Sequence, residues 1–111
     1  MTSVLFTPPL AIETANSANY VLHLNVVNVS TSPRSGTLEI LNFVGAPLSF
    51  GGYNGIASGG GTGIQIQKFQ NAAPVLLVYG KIMVDDKPDS IRANLVLTDA
   101  RGYTLVSVEA R

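Results

Sequence analysis

The sequence predicts an all-β domain, an immunoglobulin-like or related antiparallel β-sandwich of seven to eight strands. Short runs rich in Val, Ile, Thr, Tyr and Phe recur between turn residues, which is typical of strands. No window of about 11 residues keeps the apolar period of a helix. Turn signals return about every 8–12 residues, the spacing found in β-sandwiches. The length fits a single domain over residues 1–111.

The first half of the chain contains the better separated strands. Ser3–Phe6 forms a short strand that ends at a double proline, because proline lacks the N–H that a strand ladder needs. Leu10–Glu13 continues it after the kink. Asn19–Ser30 shows the clearest alternation of apolar and polar residues, and Thr37–Phe43 is its expected partner. Leu48–Phe50 is a short strand that follows the next turn.

The second half opens on a glycine-rich stretch. Gly51–Gly63 holds seven glycines, so we expect a flexible hairpin loop there. Alternation returns in Ile64–Phe69. Val75–Val84 is a long and almost continuously apolar strand, and Ile91–Thr98 with Tyr103–Ala110 forms a terminal hairpin. Periodicity alone does not separate a sandwich from a jelly roll or a small barrel.

Composition excludes several classes of function. The chain has no cysteine, which removes disulfide scaffolds and thiolate metal sites. Seven basic residues balance seven acidic ones, so no basic excess is present to bind nucleic acid. The longest apolar run is too short to span a membrane, and no signal peptide is recognisable. The compartment stays open between cytoplasmic and mature secreted.

Candidate catalytic and metal-binding groups are sparse. His23 is the single histidine, and no G-x-S-x-G turn offers a nucleophile, so we predict a protein that is not an enzyme. Asp85–Asp89 clusters three carboxylates, an arrangement that calcium favours, but the spacing is not that of an EF-hand. A solvated turn is the expected structure. We predict neither a metal site nor a cofactor.

The scarcity of charge is the most informative feature. Charged residues make up 13% of the chain, against about 25% in typical domains, and the mean hydropathy is +0.29. Several strands are apolar on both faces, whereas a two-layer sandwich buries one face of each sheet. The sequence therefore predicts a structural or interaction module that forms homo-oligomers or docks on a protein partner. The predicted interface residues are Leu76, Val78, Val96 and Val106.

Two alternatives stay open at this point. A monomer would need its second apolar faces covered by Gly51–Gly63 and the N-terminal segment. A small ligand-binding module, with carbohydrate as its ligand, would use the Gly51–Gly63 loop for recognition. Tyrosine gives a large contact area at small entropic cost. The candidate contacts of that module are Tyr53, Asn54 and Tyr103.

Overall fold

The computed structural model describes residues 1–13, 20–67 and 75–111 of the chain. This part forms nine strands and one 3-10 turn, Pro88–Ser90, so the all-β prediction is confirmed with more strands than the expected seven to eight. The predicted strand end at Asn19, the end at Lys68–Phe69 and the connection Asn71–Pro74 lie outside the described residues. The strands are β1 (Ser3–Phe6), β2 (Leu10–Glu13), β3 (Tyr20–Asn28), β4 (Arg34–Asn42), β5 (Pro47–Ile56), β6 (Gly61–Gln67), β7 (Val75–Val84), β8 (Ile91–Asp99) and β9 (Thr104–Glu109).

The strands form two antiparallel sheets. In the five-stranded sheet, β1 and β2 pair with the two halves of β7, followed by β4 and then β5 at the other edge. In the four-stranded sheet the order is β6, β3, β8 and β9. The sheets pack face to face as a sandwich. The finer grouping with immunoglobulin-like domains stays a prediction.

The core lies between the two sheets and follows the period-two alternation of strands. On β7, Leu76, Val78, Ile82 and Val84 point inward and are buried. Gly80 interrupts this row, because a Cβ there would lie 2.7 Å from Leu24 Cδ1 of the opposite sheet. The other buried apolar members of the core are Leu5, Leu10, Ile12, Leu22, Leu24, Val26, Leu38, Ile40, Tyr53, Ile91, Ala93, Leu95 and Leu97.

The prediction that Gly51–Gly63 is a long loop is wrong. β5 continues to Ile56 and β6 begins at Gly61, so only residues 57–60 connect them. Gly51 lies on β5 where a Cβ would come within 2.6 Å of Ile64 Cγ2 on β6. Glycine therefore provides room for close packing between the sheets rather than a flexible segment.

Asn28 anchors the end of β3 from a buried position. Its amide Nδ2 donates to the carbonyl oxygens of Ser32 and Ile56 at 2.8 and 2.9 Å. Its Oδ1 accepts from the backbone N–H of Ser30 at 2.9 Å and from the Ser30 hydroxyl at 2.6 Å. The whole amide group is thus satisfied within the fold, which ties β3 to the end of β5.

Candidate functional site

The two outer faces of the sandwich differ in chemistry. The four-stranded sheet presents a polar face on which His23 Nε2 lies 3.2 Å from Thr98 Oγ1 and Asn25 Nδ2 donates to Asn94 Oδ1 at 3.3 Å. Such a solvated face is ordinary for an antiparallel sheet. The register places these polar side chains on it: His23, Asn25, Gln65, Gln67, Arg92, Asn94, Thr98, Ser107 and Glu109.

The five-stranded sheet is apolar on its outer face as well as its inner one. Phe50 is 63% exposed, Phe6 is 48% exposed and Leu77 is 41% exposed. We call this surface the outer apolar face. The register assigns to it Val4 and Phe6 of β1, Leu41 of β4, Phe50 of β5, and Val75, Leu77, Tyr79 and Met83 of β7. Leu48, the unpaired residue at a β-bulge of β5, is 39% exposed.

Part of the outer apolar face is already packed within the protomer. The rings of Phe6 and Tyr79 lie 6.2 Å apart at an interplanar angle of 49°. Leu41 is buried although it is not a member of the core cluster between the sheets. The face is therefore an ordered surface of side chains that support one another, which favours recognition of a partner.

One row across this face contains its two central charges. The strand register aligns Phe6 with Lys81, Lys81 with Glu39, and Glu39 with Phe50. Lys81 and Glu39 are both half-buried. The two ion pairs among the described residues lie elsewhere, one of them between Arg34 and Asp86. The row thus reads aromatic, cation, anion, aromatic across four strands.

The predicted interface residues do not share one surface. Leu76 and Val78 lie in the core, so the prediction that they line an interface is corrected: their neighbours Val75 and Leu77 point outward instead. Val96 is half-buried on the polar face of the other sheet. Val106 pairs with Leu97 at the edge strand β9, on the inner side.

The predicted ligand contacts are also separated. Tyr53 is buried, and its hydroxyl donates to the carbonyl oxygen of Met83 at 2.7 Å, so its ring is not available to stack on a ligand. Asn54 follows it on β5 and accepts from the Ser35 hydroxyl at 3.0 Å. Tyr103 lies at the opposite end of the sandwich, in the β8–β9 turn, where the Arg101 guanidinium carbon sits 5.0 Å from its ring centre.

The environment of Tyr53 predicts a pH dependence of stability. Burial, reinforced by the Asp85 carboxylate, raises the pKa of Tyr53 from 10.0 to about 12. Between these values the unfolded chain releases the proton while the folded chain keeps it, so this stabilisation is complete below pH 10 and is lost as the pH rises to about 12. We expect a loss of about 2 kcal/mol over that interval, measured by urea unfolding.

Tyr53→Phe is the control for this pH dependence. The variant lacks the titrating hydroxyl and should be less stable at neutral pH by about 1 kcal/mol, because it loses one hydrogen bond. Its stability between pH 10 and pH 12 should fall by less than that of the unmodified chain. Equal falls in both proteins would show that Tyr53 does not carry the effect.

The remaining polar candidates offer little chemistry. His23 contacts a threonine hydroxyl rather than a carboxylate. It lines a cleft of about 210 Å³ together with Asn25, Gly63, Ile64 and Gln65. A second cleft, of about 100 Å³, is lined by Asn25, Val27, Arg92, Ala93, Asn94 and Glu109. Asp85 accepts from the Ser35 backbone N–H, and Asp86 pairs with Arg34 at 2.7 Å. Across residues 1–13, 20–67 and 75–111, no three His, Asp or Glu side chains are grouped to hold a metal ion.

The surface of the protein is the main guide to its function. The sequence matches no protein-family model and no curated protein. Within the described ranges no helix is long and apolar enough to cross a membrane. The outer apolar face is the feature of this structure that differs most from an ordinary solvated sheet.

Proposed function

We propose that this protein is a non-enzymatic structural module that self-associates through the outer apolar face. The observation that carries the proposal is the contrast between the two sheets. On the outer face of the four-stranded sheet polar side chains outnumber the apolar Val21, Val27 and Val96. On the other outer face two phenylalanine rings and several aliphatic side chains remain in contact with water. Large contiguous apolar patches on a soluble domain mark interaction sites.

The size of the face suits an interface between proteins. It is four strands wide, and β7 is 10 residues long. With strands about 4.8 Å apart and about 3.3 Å per residue, it covers roughly 600 Å² in projection. Because side chains roughen that surface, its accessible area approaches the roughly 800 Å² per partner of a standard interface.

The low charge of the chain agrees with the proposal. A formal net charge of zero gives little electrostatic repulsion between copies. The N-terminal strands β1 and β2 pair edgewise with β7 instead of folding over its outer side. They therefore widen the outer apolar face rather than cover it.

Phe50→Lys tests the proposal. Phe50 lies on the edge strand β5, so a lysine there should leave the fold intact while placing a charge in the interface. We expect size-exclusion chromatography with light scattering to show an oligomer for the unmodified chain and an 11.7 kDa monomer for the variant.

Leu105→Lys is the matched control. Leu105 is 50% exposed on β9, an edge strand of the other sheet, so it resembles Phe50 in exposure and position. This variant should keep the mass of the unmodified oligomer. If both variants dissociate, or neither does, the outer apolar face is not the interface.

A further inference from the structure

The row of four residues on the outer apolar face indicates how two copies meet. We propose that two protomers pack these faces together about a two-fold axis that runs parallel to the strands, between β7 and β4. This inference rests on the proposed function and adds the partner and its orientation. In this arrangement Lys81 of each protomer faces Glu39 of the other, and Phe6 faces Phe50.

The position of the axis follows from the overlap between the outer apolar faces of the two copies. β7 and β4 are the two central strands of this sheet, with β1 and β2 on one side and β5 on the other. A two-fold axis along the line between them places β7 over the second copy's β4 and the outer strands over one another. Any axis displaced across the strands leaves one edge of each apolar face in water, which loses buried area.

The residues of the row are self-complementary under that rotation. The order Phe6, Lys81, Glu39, Phe50 is reversed by the two-fold axis, so a cation meets an anion twice and an aromatic ring meets an aromatic ring twice. The four charges then alternate in sign at the centre of the interface. Aligned packing of sheets, at an angle of about 30°, keeps this row together near the axis.

The charges also exclude competing arrangements. Lys81 and Glu39 are half-buried in the single protomer and lose further solvent in a dimer. An axis on β7 would place Lys81 against Lys81 of the second copy, and an axis on β4 would place Glu39 against Glu39 of the second copy. Either displaced arrangement brings like charges together as they lose solvent, which is strongly unfavourable. The apolar side chains supply the attraction, and the two charge pairs select one register.

Mixing two charge-reversal variants tests this geometry. In a Lys81→Glu dimer, two acidic side chains of one copy would lie opposite two acidic side chains of the other. In a Glu39→Lys dimer, two basic side chains would lie opposite two basic ones. Each variant alone should therefore be monomeric. An equimolar mixture should recover a heterodimer, because the opposite charges then meet in both contacts. With one variant isotopically labelled, native mass spectrometry identifies that heterodimer.

The mixture separates contacts between protomers from effects inside one protomer. Each variant keeps its own like-charged cross-strand pair in the mixture, so recovery of a dimer requires a contact between copies. Circular dichroism of each variant establishes that it is folded. The matched control reverses charges on the polar face: Arg92→Glu and Glu109→Lys should both remain dimeric.

A crosslinking experiment gives an independent result. The chain has no cysteine, so Phe6→Cys and Phe50→Cys each carry one thiol. Facing sheets lie about 10 Å apart, beyond a disulfide but within reach of a short bismaleimide. We expect crosslinked dimer from the mixture of the two variants and little from either alone, since positions 6 and 50 lie three interstrand spacings apart, about 14 Å.

The outcomes distinguish the geometry from the proposed function. A heterodimer in the charge mixture, with crosslinking only between positions 6 and 50, supports the two-fold arrangement. If the unmodified chain is dimeric but the mixture stays monomeric, or if either charge variant dimerises alone, the arrangement is overturned and the interface stands. If the unmodified chain is a monomer, the proposed function fails, and the arrangement fails with it.

Discussion

Gly36→Ala should unfold this protein or destabilise it by more than about 3 kcal/mol. Gly36 lies on β4 opposite Tyr53 of β5 and Val84 of β7. A Cβ at this position would lie 1.8 Å from the carbonyl oxygen of Met83 and 2.6 Å from the Tyr53 hydroxyl oxygen. The first contact is with backbone in the centre of a sheet, so it can be relieved only by separating β4 from β7. Urea unfolding followed by circular dichroism measures the loss.

Gly52→Ala provides the comparison on the neighbouring strand. Gly52 pairs with Thr37 of β4 and points to the outer face, where the nearest atom to a Cβ would be the carbonyl oxygen of Gly36 at 3.7 Å. That distance is ordinary contact, and alanine suits a strand at least as well as glycine. The variant should be as stable as the unmodified chain or slightly more stable. A large loss at both positions would mean that β4 and β5 do not pair in this register.

Leu76→Lys and Leu77→Lys should have opposite consequences although the residues are adjacent. Leu76 is 6% exposed and points into the core, so its replacement buries an unpaired charge and should cost more than about 4 kcal/mol. Leu77 points outward on the outer apolar face. Its replacement should leave a folded chain that is monomeric. Unfolding curves recorded at low protein concentration separate loss of folding from loss of association.

The contrast between these two variants tests which residues of β7 point into the core and which point to the outer apolar face. If Leu77→Lys unfolds the chain and Leu76→Lys is tolerated, the register of β7 is shifted by one residue, and its inward and outward side chains have been assigned to the wrong faces. If both variants unfold, the outer side of β7 is needed within the protomer itself. Only a folded Leu77→Lys with a reduced mass agrees with an interface on that side.

Much of the secondary structure follows from local pattern. The predicted bounds Ser3–Phe6, Leu10–Glu13 and Val75–Val84 coincide with β1, β2 and β7. Two prolines and a clear change of composition mark the ends of these strands. The residues next to each end therefore determine where the strand stops. The glycine-rich segment could not be assigned in the same way, because its strand conformation depends on pairing with β4 and β3. Glycine content by itself indicates a loop.

The sequence predicts an interaction surface on strands that are apolar on both sides, but it does not predict which residues lie on the outer side of the sheet. The sequence shows that β7 is apolar on both sides, and the structure agrees, yet nothing local tells which side faces the other sheet. A shift of one residue exchanges the two sides, so Leu76 and Leu77 are equivalent candidates until the register is known. Phe6, Glu39 and Phe50 come from three further strands. They lie in one row with Lys81 only through pairings between residues far apart in the chain.

Sedimentation equilibrium of the unmodified chain over a wide concentration range tests the central claim most directly. If the outer apolar face is an interface between copies, the data should fit a monomer of 11.7 kDa in equilibrium with a species of twice that mass. Dilution should shift the balance toward the monomer. A single species of 11.7 kDa at every concentration, up to the limit of solubility, would contradict self-association and leave this face without the proposed role.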